Sequence, residues 1–125
     1  MATKTKSANL GPVRGMTRSQ EEKFIRDCYD NFPEASQSLV CTGWKYKKFL
    51  FVFLDPEEEG KEHVIRLADA IRGFRLFVQA VDSGKLPGLG LPADYLNLED
   101  GPGIMDASCF DAMVQMAIFG EVIYG

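Results

Sequence analysis

Histidine and tryptophan occur once each, as His63 and Trp44, and cysteine three times, as Cys28, Cys41 and Cys109. With a single histidine, any Ser-His-Asp or Cys-His pair has to run through His63. An odd number of widely spaced cysteines, with no CxxC and no Cys/His grouping, excludes a disulfide framework and a zinc-finger pattern. It reads as free thiols in a reducing cytoplasm. HExxH, GxSxG and Walker sequences are absent. The glycines of 84–90 do not spell GxGxxG and follow a helical pattern instead of a strand, which excludes a dinucleotide site. No apolar run reaches ~18 residues, so no helix is expected to span a membrane. The first residues carry no apolar signal-peptide core. These absences predict a cytoplasmic protein without cofactor or metal.

Acidic residues are missing from one stretch. Residues 1–18 hold Lys4, Lys6, Arg14 and Arg18 and no acid, although the chain as a whole carries a net charge of −4. The remainder has ten basic against eighteen acidic residues, a net −8. Such a body repels phosphate backbones, which argues against broad nucleic-acid binding by the folded part. Residues 1–16 mix Thr, Lys, Ser, Gly, Pro and Arg without apolar periodicity and read as a mobile basic arm.

What is present predicts one domain over 17–125, of α+β class. Three helices would pack on a small, mainly antiparallel sheet of three to four strands. Thr17 and Gln20 form a capping-box pattern, and Glu21 and Glu22 sit where a helix dipole favours anions. Phe24, Ile25, Cys28, Tyr29 and Phe32 follow on one stripe, and Pro33 closes a helix over 18–32. Leu39–Trp44 and the six-residue apolar run Phe49–Leu54 read as strands, the second covered on both faces. Asp55-Pro56 and the glutamates after it make an acidic turn. Alternation over 62–67 gives a third strand paired antiparallel with 49–54, in competition with a helix begun at Lys61. A second helix over 68–82 has Ile71, Phe74, Val78 and Val81 on its dry stripe and Asp69, Arg72, Arg75, Gln79 and Asp82 on its wet one. Gly73 inside it costs ~1 kcal/mol against alanine, which predicts close approach of another element. Residues 83–104 hold five glycines and three prolines and form a long loop suited to recognition. The last helix, 107–119, is apolar almost all round, with Asp111 and Gln115 as its one polar line. It must be covered by the rest of the chain or by a second copy, so a homo-oligomer is expected. Gly120 suits the left-handed residue after its end, and 121–124 reads as a closing strand.

Chemistry is sparse. Asp55 with Glu57, Glu58 and Glu59, and Glu99 with Asp100 and Asp106, are acidic clusters without the ligand alternation of a calcium loop, and read as solvated turns. The stretch Trp44-Lys45-Tyr46-Lys47-Lys48 interleaves aromatics with lysines, a combination that stacks rings and neutralises anions. As a strand it would set Trp44, Tyr46 and Lys48 on one face and Lys45 and Lys47 on the other. Read structurally, it is a hairpin tip with solvated lysines. If Arg72 and Arg75 lie beside Trp44, Tyr46, Lys47 and Lys48, they complete a ligand- or partner-binding patch.

The segments Leu67–Phe74 (LADAIRGF), Asp106-Ala107 and Asp111–Gly125 (DAMVQMAIFGEVIYG) resemble a pattern in small proteins of unassigned activity carried by phages and prophages. The resemblance spans residues 62–125. It implies a phage or prophage accessory role on a host or viral protein partner, and no catalytic residues. The sequence as a whole predicts a non-enzymatic interaction protein. The alternatives are a small anionic-ligand or nucleotide-binding module at the Trp44–Arg75 group, and an enzyme of unfamiliar type centred on His63 or the acidic clusters.

Overall fold

The computed structural model describes residues 11, 16–31, 38–45, 47–58, 60–86 and 107–124. Within them the chain forms helix α1 (Arg18–Asn31), strands β1 (Val40–Lys45), β2 (Leu50–Leu54) and β3 (Glu62–Arg66), helix α2 (Leu67–Asp82) and helix α3 (Ala107–Phe119). The class is α+β, three helices with one antiparallel sheet in the order β1-β2-β3. Residues 62–66 are a strand, which settles the competition with a helix begun at Lys61. The end of the first helical pattern at Phe32-Pro33, Tyr46 and the loop from Pro87 onward lie outside the described residues. So does the arm, apart from Gly11 and Met16. Met16, assigned to that arm from sequence, is only 6% exposed and belongs to the core.

Helix α1 starts on the expected reciprocal cap. The Gln20 backbone N–H donates to Thr17 Oγ1 at 3.1 Å, and the Thr17 N–H to Gln20 Oε1 at 2.7 Å. Glu21 does more than answer the helix dipole. It is fully buried, and Arg75 of α2 grips both its oxygens, from Nε at 3.0 Å and from a terminal nitrogen at 2.7 Å. Arg75 is therefore not on a wet face. A buried carboxylate needs a paired cation, and the forked guanidinium matches it twice over. The hydrogen bond to Glu21 raises the Arg75 guanidinium further above its ordinary value. Phe24 stacks on Phe74 at 5.3 Å along the same α1–α2 seam.

Helix α3 lies against α2 at the point Gly73 predicted. A Cβ built on Gly73 would stand 2.7 Å from the Cα, Cβ and backbone nitrogen of Ala117. Two backbones approach that closely only where one residue has no side chain. From Cys109 to Ala117 every residue of α3 is buried within this one chain, so covering the apolar helix requires no second copy. Its polar line of Asp111 and Gln115 is buried as well. Asp111 accepts from the Ser38 backbone N–H and hydroxyl at 2.8 Å each, and the Gln115 amide donates to Asp111 at 2.9 Å.

The same amide explains why 121–124 is not a strand. Gln115 Oε1 accepts the N–H groups of Ile123 and Tyr124, both at 2.8 Å, while its Nε2 donates to the Tyr124 carbonyl at 2.9 Å. One side chain thus supplies the hydrogen bonds that a neighbouring strand would otherwise supply. Gly120 turns the chain out of α3 at φ 79°, as expected for a residue after a helix end.

The sheet lays one face on the helices. Phe51, Phe53 and Ile65 are fully buried, and Tyr29 of α1 meets Phe49, Phe51 and Phe110 at ring separations of 5.0–5.1 Å.

Candidate functional site

Strand pairing sorts the remaining sheet residues onto the opposite face. Residues directly across an antiparallel pair point the same way. Phe51 pairs with Ile65 and Phe53 with His63 on the helix side, whereas Leu50–Arg66, Val52–Val64 and Leu54–Glu62 pair on the other. β1 adds Lys45 beside Leu50, Gly43 beside Val52 and Val40 beside Leu54, with a bulge between Cys41 and Gly43 that absorbs Thr42. Three cross-strand rows result on the outer face: Lys45–Leu50–Arg66, Gly43–Val52–Val64 and Val40–Leu54–Glu62. The expectation that Phe49–Leu54 is covered on both faces fails here. Val40 stays 54% exposed and Val64 48%, and Leu50, Val52 and Leu54 between the edge strands are half-buried.

This face has two electrically different ends. At the β1–β2 hairpin, Lys45, Lys47, Lys48 and Arg66 are all exposed. At the opposite end stands Glu62, also exposed. Gly43 leaves a shallow notch in the middle row, since a Cβ there would meet nothing within 4 Å.

The residues singled out from sequence divide across this geometry. Trp44 lies in β1 opposite Phe51, on the helix side at the sheet edge, 39% exposed. Lys47 and Lys48 belong to the turn after the strand, so the face alternation expected along 44–48 stops at Lys45. Tyr46 lies outside the described residues. Phe49, at the end of that turn, holds the left-handed φ of 46° with its ring buried, an anchor for the hairpin. Arg72 donates to Asp69 at 3.2 Å and to the Ala117 carbonyl at 2.9 Å, and Arg75 holds Glu21. Both arginines tie the fold together internally. A further cation at the hairpin is Arg26, whose guanidinium carbon sits 5.5 Å from the Phe49 ring centroid.

A second constellation joins three elements of sequence that local patterning keeps apart. Asp55, expected in a solvated turn, is 1% exposed. Tyr124 Oη donates to both Asp55 oxygens, at 3.0 and 2.9 Å, and the Glu57 N–H donates to Oδ1 at 2.9 Å. His63, across from Phe53, meets Phe119 edge-on at 5.4 Å, and Phe119 meets Tyr124 at 6.0 Å. Burial, the hydrogen bond to Asp55 and the charges of Asp55, Glu57 and Glu58 push the Tyr124 phenol up to about 12. One carboxylate oxygen each of Asp55 and Glu58 and one ring nitrogen of His63 lie within 4.8 Å of one another. Sequence reasoning missed Tyr124 and separated His63 from the acidic turn. The signal available was only that Asp55 and His63 flank one hairpin turn.

None of the three cysteines is in a disulfide. Cys28 and Cys109 are buried, and burial raises the Cys28 thiol far above its ordinary value, which makes it a poor nucleophile. Among the described residues no helix is long and apolar enough to cross a membrane. No family model, curated protein or solved structure matches this chain.

Proposed function

We propose that this chain is a non-enzymatic protein-interaction domain that docks through the outer face of its sheet. The observation that carries the reading is the apolar surface made by exposed Val40 and Val64 around half-buried Val52 and Leu54, with a basic end at Lys45 and Arg66 and an acidic end at Glu62. Exposed apolar area rimmed by charge is the usual mark of a protein-binding surface. Charges of opposite sign at its two ends set the orientation of what binds. The partner has an apolar centre and the reverse polarity, acids toward the hairpin and bases toward Glu62.

A second copy of the chain meets that description. A two-fold axis at the centre of the face sets Lys45 and Arg66 of one copy over the Glu62 end of the other and stacks the two apolar centres as a sandwich. A homo-oligomer formed in this way differs from the one suggested by the apolar α3, which a single chain covers. The likeness to phage-borne proteins supports a further role for the domain as an accessory protein that holds a host or viral protein. The anionic-ligand reading retains Trp44, Lys47 and Lys48 and gains Arg26. Arg72 and Arg75 contribute to it only by giving up their bonds inside the fold.

Sedimentation of the full chain tests the proposal, together with crosslinking in its native cell and a Val40→Asp/Val64→Asp variant. A mass of twice 13.9 kDa that falls to the single value in the variant supports docking of a second copy. A single-chain mass with a crosslinked partner that the variant loses supports a different protein partner. A single-chain mass with crosslinking unchanged in the variant overturns the docking face.

A further inference from the structure

Buried carboxylates in this fold are matched in different ways. Glu21 is clasped by Arg75. Asp55 is as deeply buried, yet among the described residues no lysine or arginine forms an ion pair with it. Its hydrogen bonds come from a neutral phenol and one backbone N–H. A carboxylate withdrawn from water is stable when paired or when it coordinates a metal. Two further glutamates, Glu57 and Glu58, follow it in the same turn.

The second, independent observation concerns the one histidine. His63 is half-buried, and its Nε2 is shut off from solvent with no hydrogen-bond partner among the described residues. A buried ring nitrogen without a partner calls for an explanation, and an ion is one of the few available. The imidazole faces the core side of β3, where its edge contact with Phe119 restricts its rotation.

We propose that Asp55, Glu58 and His63 form a site for a divalent transition-metal ion, with Tyr124 as the residue that positions Asp55. One nitrogen and two carboxylate oxygens suit a borderline first-row ion such as Zn²⁺ or Mn²⁺ better than Ca²⁺ or Mg²⁺, which favour oxygen alone. Three protein donors leave at least one position for water. The donors lie within 4.8 Å of one another, whereas an ion at ~2.1 Å from each needs separations of at most ~4.2 Å. Glu58 supplies the difference. Its side chain is 50% exposed and, among the described residues, pairs only with Lys61, at 3.0 Å, a surface contact that exchanges at little cost. The ion would fasten the β2–β3 turn to β3, and through the Tyr124–Asp55 bond it would also hold the carboxy-terminal segment. The site stands apart from the outer sheet face, because His63 pairs with Phe53 on the helix side.

The test is a titration of the full 125-residue chain with ZnCl₂, followed by long-range ¹H–¹⁵N NMR of the imidazole, which has a single assignment because the chain has one histidine. One equivalent should shift a ring-nitrogen resonance to saturation, and a tenfold excess of MgCl₂ should not reverse it. Calorimetry should show affinity lowered at least tenfold in Asp55→Asn and in His63→Phe, the latter keeping a ring against Phe119. In Tyr124→Phe it should fall by about tenfold, the scale of a lost positioning contact. Melting curves without metal show whether each variant is folded, and the His63→Phe comparison stands alone if Asp55→Asn is not. Zn²⁺ binding that leaves the imidazole unmoved, or that persists unchanged in His63→Phe, places the ion on thiols and overturns the site. No saturable binding overturns it equally.

Discussion

The two faces of one sheet carry similar residues and meet opposite fates. On the helix side, Phe51, Phe53 and Ile65 are excluded from water entirely, while Val64, next to Ile65 in β3, and Val40 of β1 are about half exposed. Side-chain chemistry does not separate them, since valine and isoleucine bury with comparable gain per unit area. What separates them is the supply of covering elements. α1 meets the sheet's inner face through Tyr29 against Phe51, and α3 through Phe119 against His63. The lesson is that an unbroken apolar strand reports capacity for two-sided burial, and the chain uses that capacity on one side only. The other side is the surface proposed here for docking.

The contrast can be broken most directly at Phe51. Phe51→Ala removes a fully buried ring from the Tyr29 cluster and should cost ~3–5 kcal/mol in denaturant unfolding. A loss under about 1 kcal/mol would mean that the inner face is no better packed than the outer. Gly73→Ala comes next. Its methyl would stand 2.7 Å from Ala117 backbone atoms, so α2 and α3 must separate, at ~1–3 kcal/mol. A neutral or stabilising result, as helix propensity alone would give, would show that the helices yield easily.

A third test works through pH. Folding raises the Tyr124 phenol from 10.0 to about 12, and a raised value means the folded state favours the neutral form. Its contribution is complete below pH 10 and is lost as pH rises through about 12. Melting temperature in the native chain should therefore fall faster over that window than in Tyr124→Phe, and parallel curves would remove the Asp55–Tyr124 bond from the account. The smallest effect belongs to the outer face. Val64→Ser should change stability by less than ~0.5 kcal/mol in the isolated chain. A cost near that of Phe51→Ala would sharpen the comparison in the other direction, because it would show Val64 to be covered.

Local signals carried much of the fold. Thr17 with Gln20, the stripe of Phe24, Ile25, Cys28 and Tyr29, the glycine at 120 and the alternation over 62–66 each act over four residues or fewer, the range over which caps and periodicity operate. Gly73 was legible for a similar reason, because a glycine in a strong helix implies a close neighbour even before that neighbour is known. The site was less legible. Arg72 and Arg75 look solvent-facing in periodicity, and only packing shows Arg75 closing on Glu21 across 54 residues. The bulge at Thr42 was equally hidden, and it decides which face Trp44 and Lys45 take.

From residues alone came the class, the three described helices, the three strands of the sheet and most of the places where the chain turns, because these depend on neighbours within a turn or two. Tertiary structure alone decided which carboxylates leave water, which sheet face stays open, and that Asp55, His63 and Tyr124 share one corner. Those outcomes depend on which distant segments meet, and a buried charge or an orphaned ring nitrogen exists only once they have met.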